Sequence, residues 1–129
     1  MCKHWHPPDV DSYKLNFDAA VFKASNIAGI EIIARDWRGK VIGALLQSIS
    51  VSHSVADMEA QACRRAVQFA VEIGLCRVIF EGDPALVFNV ITQGGAEFST
   101  YGNIIDDIRC IAVDFQFVKF KYVNVLLMF

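Results

Sequence analysis

The feature that most constrains the fold is a change of hydrophobic period part-way along the chain. Tyr13, Leu15, Phe17 and Ala19 alternate with Lys14, Asn16 and Asp18, and a spacing of two is the mark of a strand with one buried face. After the turn-forming stretch Lys23-Ala24-Ser25-Asn26 comes a second β-rich run, Ile27 to Ala34. Arg35-Asp36-Trp37-Arg38-Gly39 reads as a turn with Gly39 at a position needing positive φ, and Lys40 to Ser50 returns as a third strand. Three such runs with short connections make an antiparallel meander. The period then shifts. Met58, Ala62, Ala66, Phe69 and Ile73 form a helical stripe, with Ser54 as N-cap and Gly74 as the stop. Arg77 to Phe80 is a short apolar strand. A strand, helix and strand in this order form a right-handed crossover, so the fourth strand is expected to run parallel to a strand of the meander.

The remainder completes an α/β pattern. Pro84 opens a helix reaching about Gln93, closed by Gly94-Gly95. A further helix is expected over Tyr101 to Ala112, and a fifth strand over Phe115 to Val123. The fold expected is a mixed five-stranded sheet, the meander plus two parallel strands, flanked by helices. Residues 1–11 read as an extended N-terminal segment because Pro7-Pro8 disfavours helix before it, leaving 12–129 as the domain.

Composition bounds the function classes. A chain of 129 residues is one domain's worth, able to bury a core without a metal or disulfide staple. It is 54% hydrophobic and only 20% charged, against roughly 25% charged in ordinary globular domains, so it has a large core or a surface that lacks a partner. A net charge of -2 with no polybasic run excludes a strong long-range pull on polyanions. Cys2, Cys63, Cys76 and Cys110 show no close pair or zinc spacing, and Cys2, His4 and His6 are too few for a structural zinc. With no secretory apolar segment near the N-terminus and no apolar run near the ~20 residues that span a bilayer, the expectation is an intracellular chain, off the membrane, with reduced thiols.

Three acids occupy places where a plain surface charge is an odd choice. Asp18 lies in the apolar first strand, Glu59 on the flank of the helical stripe, and Asp83 just after Val78-Ile79-Phe80. If the crossover lays the first and fourth strands side by side, these acids meet at one end of the sheet. Clustered carboxylates repel unless a cation compensates them, and oxygen-only ligands suit a hard ion such as magnesium. Each also has a simpler reading. Asp83 before Pro84 suits a helix cap, Asp18 suits a strand end, and Glu59 suits a solvated helix face. Asp57, Glu81, Asp106 and Asp107 read as structural or solvated charges, and Trp37 as a loop anchor. Arg64 and Arg65 lie about 140° and 240° around the helix from Glu59 and so face away from it.

These residues resemble a known family, ribonuclease H, in the reverse-transcriptase-like form common in plant genomes. The resemblance is carried by Lys14-Leu15-Asn16-Phe17-Asp18-Ala19-Ala20, Ala28-Gly29-Ile30 with Arg35-Asp36, and Val41-Ile42-Gly43-Ala44. It continues through Ala56-Asp57-Met58-Glu59-Ala60, Val78-Ile79-Phe80-Glu81-Gly82-Asp83 and Tyr101-Gly102-Asn103-Ile104-Ile105, in order from Trp5 to Val123. It implies a ribonuclease H-like fold and a retroelement origin. It further implies an endonuclease that hydrolyses the RNA strand of RNA–DNA hybrids, with Mg2+ as cofactor and Mn2+ as a substitute. Asp18, Glu59 and Asp83 match the family's catalytic, metal-holding acids. Two metal ions there would generate the attacking hydroxide and stabilise the departing 3′ oxygen.

The sequence also departs from the family. The family continues past its fifth strand to a last helix bearing a fourth metal-site residue. Here Asn124-Val125-Leu126-Leu127-Met128-Phe129 is apolar, without arginine, histidine or carboxylate. The expectation is a C-terminally truncated domain with that helix missing, a bare sheet face and impaired activity. Glu31 stands where the family has glycine. Contacts to phosphate would fall to Lys14, Lys23, Arg35, Arg38 and Lys40, giving weak, salt-sensitive binding. The alternative is a catalytically silent nucleic-acid-binding or interaction module on the same fold.

Overall fold

The computed structural model describes residues 12–22, 27–50, 55–82 and 102–122. Its elements are β1 (Tyr13–Phe22), β2 (Ile27–Arg35), β3 (Val41–Ser50), α1 (Val55–Glu72), β4 (Arg77–Gly82), α2 (Gly102–Ala112) and β5 (Phe117–Tyr122). The expected N-terminal segment, the Pro84–Gln93 helix and the chain beyond Tyr122 lie outside the described residues.

One five-stranded sheet runs in the order β3-β2-β1-β4-β5. β1–β2 and β2–β3 are antiparallel, whereas β1–β4 and β4–β5 are parallel. This is the expected meander plus two parallel strands. Burial follows the period of two. Leu15 and Phe17 are buried while Lys14 and Asp18 are exposed, and Ala28, Ile30, Ile32 and Ala34 of β2 point into the same layer. β4 adds Val78 and Phe80 to that face. Phe80 is fully buried, stacked on Phe120 at 5.4 Å and edge-on to Phe115 at 5.9 Å.

α1 closes the inner face with more than the predicted stripe. Met58, Ala62, Ala66 and Phe69 are buried as expected, and so are Ala60, Cys63, Val67 and Ala70. The second row is needed because α1 packs on the sheet and also on α2, whose Ile105 and Ile108 are fully buried. Phe69 comes so close to β3 that a Cβ at Gly43 would sit 3.3 Å from its ring, so any larger residue there would press on Phe69. Arg64 of α1 is bonded to Asp107 of α2 at 3.0 Å, a pair at the rim of this packing.

Two turns behave as the sequence implies. α1 ends at Gly74, at φ 79°, with the Leu75 N–H bonded to the Ala70 carbonyl at 2.9 Å and the Gly74 N–H to the Val71 carbonyl at 3.0 Å. That is the Schellman pattern, and buried Leu75 supplies its apolar contact. Ile73, expected in the stripe, falls past the helix end and is 38% exposed. Gly39 has φ 87°, and the Asp36 carboxylate accepts from the N–H groups of Arg38 at 2.8 Å and Lys40 at 3.0 Å. Because the Lys40 N–H is held by Asp36, β3 starts one residue later than expected. β5 starts two residues later than expected, because the Asp114 and Phe115 N–H groups complete the exit turn of α2.

The cysteines correct one expectation. Cys63 and Cys110 are free, but Cys76 is disulfide-bonded. Sequence spacing does not report which thiols meet in space. No described helix is long and apolar enough to cross a membrane.

Candidate active site

The crossover fixes which ends of the elements meet. β1 runs towards Phe22, β3 runs the same way, and α1 returns to start parallel β4, whose register is Tyr13↔Val78 to Asn16↔Glu81. The C-terminal half of β1, the first turns of α1 and the end of β4 therefore share one end of the sheet. Asp18 belongs to the first of these and Glu59 to the second. Asp83 lies outside the described residues, one residue past the end of β4.

The two described acids reach that end from different sides. Leu15 and Phe17 point at α1, so Asp18, with the opposite parity, projects from the outer face. Asp18 is exposed, and its Oδ1 accepts from the Ala19 N–H at 2.9 Å. Among the described residues its Oδ2 has no hydrogen-bond partner. Glu59 is half-buried on α1, between buried Met58 and Ala60. Among the described residues no group of three or more His, Cys, Asp and Glu comes close enough to share a metal ion. The donor set itself, carboxylate oxygens with one of them unengaged, suits a hard divalent cation.

Register reveals an acid that a single strand could not. Asp18 pairs directly with Glu31 of β2, and Glu31 pairs with Leu46 of β3. Residues directly opposite point to the same face, so the two carboxylates stand side by side. With Ala20, Gly29, Ile30 and Leu46 they line an open depression of about 140 Å3.

Basic residues gather at the other end. Lys14 pairs with Arg35, and the turn after Arg35 carries Arg38 and Lys40. Lys23 lies outside the described residues. Asp18 is four residues along β1 from Lys14, about 13 Å at strand rise. The outer face thus runs from a basic end to an acidic one. Trp37 anchors the turn through an edge-on contact with Tyr13 at 5.6 Å, and it is 42% exposed, with the Arg38 guanidinium 5.4 Å from its ring centre.

Three of the acids read as structural or solvated, Glu81, Asp106 and Asp107, sit in ion pairs. Glu81 is buried, pairs with Lys14 at 3.8 Å and Lys121 at 3.9 Å, and accepts from the Asn16 amide at 3.4 Å. Asp106 pairs with Arg109 at 3.7 Å. Arg65 turns away from Glu59, to Glu72 at 3.0 Å and the Gln47 side chain at 2.9 Å.

Comparison with known proteins gives the class. Residues 16–125 match the reverse transcriptase-like family model, and the chain belongs to that family. The fold is that of ribonuclease H1 from the halophilic archaeon Halobacterium salinarum NRC-1, with TM-score 0.79 and 17% identity over 90% of this chain and 88% of that one. The N-terminal ribonuclease H domain of rv2228c from Mycobacterium tuberculosis, solved fused to maltose binding protein, is similar at TM-score 0.75 and 14% identity, covering 89% and 84%. LC11 ribonuclease H1 in complex with an RNA/DNA hybrid is similar at TM-score 0.75 and 15% identity, covering 89% and 87%. No curated protein matches the chain.

Proposed function

We propose that this chain binds nucleic acid and hydrolyses the RNA strand of RNA–DNA hybrids in a divalent-metal-dependent reaction, as a retroelement-derived, plant-type ribonuclease H-like domain. The observation that carries this reading is the parallel β1–β4 pair. It brings Asp18, the start of α1 with Glu59, and the strand end before Asp83 to one end of the sheet. The structural likeness to an enzyme solved with an RNA/DNA hybrid supports it.

In this reading Asp18, Glu59 and Asp83 hold Mg2+, or Mn2+ in its place. When bound, the metal supplies Lewis-acid activation of water and charge stabilisation at the departing 3′ oxygen. Asp18 presents its unengaged oxygen from a rigid strand. Glu59 stands on α1 between buried Met58 and Ala60, which fix the helix against the core. Lys14, Arg35, Arg38 and Lys40 attract the phosphate backbone and set its direction across the outer face, and 2′-hydroxyl contacts distinguish the RNA strand. With net charge -2 the attraction is short-range, so affinity falls steeply with salt.

One observation favours a second reading. Asp18 projects from the face opposite the helix that carries Glu59, which suits a module that binds nucleic acid without cutting it. Incubating a labelled hybrid with the chain, Mg2+ or EDTA separates the two. Metal-dependent cleavage lost in Asp18→Asn supports the nuclease, and binding without cleavage supports the silent module.

A further inference from the structure

The two edges of the sheet are built differently. β5, Phe117–Tyr122, is six residues long and carries Lys119 and Lys121, the kind of charge that keeps an edge strand from pairing with another chain. β3, Val41–Ser50, is ten residues long and contains no charged residue and no proline. Among the described residues β2 is its only sheet neighbour. No other described strand pairs with its outward backbone N–H and C=O groups, and Val41, Ile42 and Leu46 are 49%, 42% and 79% exposed.

We propose that β3 pairs antiparallel with β3 of a second copy of this chain, making one continuous ten-stranded sheet across a two-fold axis. The axis must stand perpendicular to the sheet, which keeps the same face up in both copies and requires paired residues of equal parity. A bulge shifts the β2–β3 register between Ala34 and Arg35 and ends the regular edge near Gly43. The remaining stretch, Gly43 to Ile49, has Leu46 at its midpoint. Centring the axis there sets Leu46 against its own copy and Ala44 against Ser48 on the outer face. On the inner face Leu45 meets Gln47 and Gly43 meets Ile49. Every pair is apolar or neutral, so a second copy meets no like charge along the edge. The charges on α1 that flank it, Arg65 and Glu72, neutralise each other at 3.0 Å.

This occupant has a consequence for the candidate site, although the pairing does not depend on the nuclease reading. The row Asp18, Glu31, Leu46 would continue through the axis into Leu46, Glu31 and Asp18 of the second copy. Five strand spacings then separate the two Asp18 residues, about 24 Å on one face.

Sedimentation velocity tests the pairing from roughly 1 μM to about 1 mM, the range that a small interface demands. The expected result is a mass rising from one chain to two. Leu46→Lys opposes two like charges at the axis and is expected to hold the mass at one chain. Its melting temperature should stay unchanged, because Leu46 is largely exposed. In a Cys110→Ser background, Leu46→Cys is expected to form a disulfide-linked dimer on oxidation, and Ser48→Cys, which faces Ala44, is not. The proposal stands only if all three results hold. A constant one-chain mass, a dimer indifferent to Leu46→Lys, or cross-linking equal at positions 46 and 48 overturns it and leaves the edge to a different partner or to non-specific association.

Discussion

Asp18 of β1 and Glu31 of β2 are direct cross-strand partners on the exposed face of the sheet, two carboxylates side by side with no cation among the described residues bonded to either. Like charges directly opposite destabilise a sheet, and cross-strand pairs act on a scale of roughly 0.2–1 kcal/mol. Glu31→Gln should therefore stabilise the metal-free chain by about that much in urea unfolding, with a smaller gain at high salt. In an Asp18→Asn background the gain should vanish. A loss of stability on Glu31→Gln would show that the pair is not repulsive.

The Asp36 carboxyl gives a pH dependence of known sign. Burial raises its pKa, but the N–H groups of Lys40 and Arg38 and the Arg38 charge outweigh that and hold it below the ordinary 3.8. A folded-state value below the unfolded one means that the ionised group stabilises the native chain above about pH 3.8, and that this contribution is lost as pH falls through the lower folded value. Asp36→Asn keeps an oxygen acceptor without the charge. It should flatten the acid limb of the melting-temperature profile relative to the parent. An unchanged acid limb would place the dependence on other groups.

Strands and helix were legible where burial imposes a side. The period of two in β1 and of 3.6 in α1 came from contact with a common core, and the crossover rule then placed β4 beside β1. What depended on register was hidden. Glu31 read as an unexplained departure because the residue opposite it is set by the β1–β2 connection and not by its own strand. The outward direction of Asp18 was legible from its parity. That this is the face opposite the one α1 covers was not, because that depends on which face α1 takes. The Cys76 disulfide was likewise invisible to spacing.

Phe80 joins β4 to β5 and to the exit of α2 through its two ring contacts. Phe80→Ala should cost about 3–5 kcal/mol, the scale of emptying a large core site. Denaturant unfolding checks this. A cost near that of a surface substitution would mean that the core does not extend to β5.

Thiol chemistry separates two free cysteines. Burial pushes the Cys63 thiol well above its ordinary pKa, whereas Cys110 is exposed. Alkylation near neutral pH, read by peptide mass spectrometry, should modify Cys110 in the native chain and Cys63 only after unfolding. Rapid native labelling of Cys63 would contradict the packing of α1.

Lys14 and Arg35 are the cross-strand pair at the basic end. If they touch phosphates, Lys14→Ala and Arg35→Ala should each weaken hybrid binding across sequences and reduce the salt slope by about one contact. Fluorescence anisotropy in a salt series reads both effects. Unchanged slopes would move the nucleic acid off this face.

Cleavage of a labelled RNA–DNA hybrid, with Mg2+ against EDTA and the parent chain against Asp18→Asn, tests the reading of the site most directly. The RNA strand should be cut only with metal, and Asp18→Asn should lower the rate by roughly 100-fold or more while the fold, read by circular dichroism, is kept. Cutting that persists in EDTA, or that survives Asp18→Asn at the parent rate, would contradict that reading.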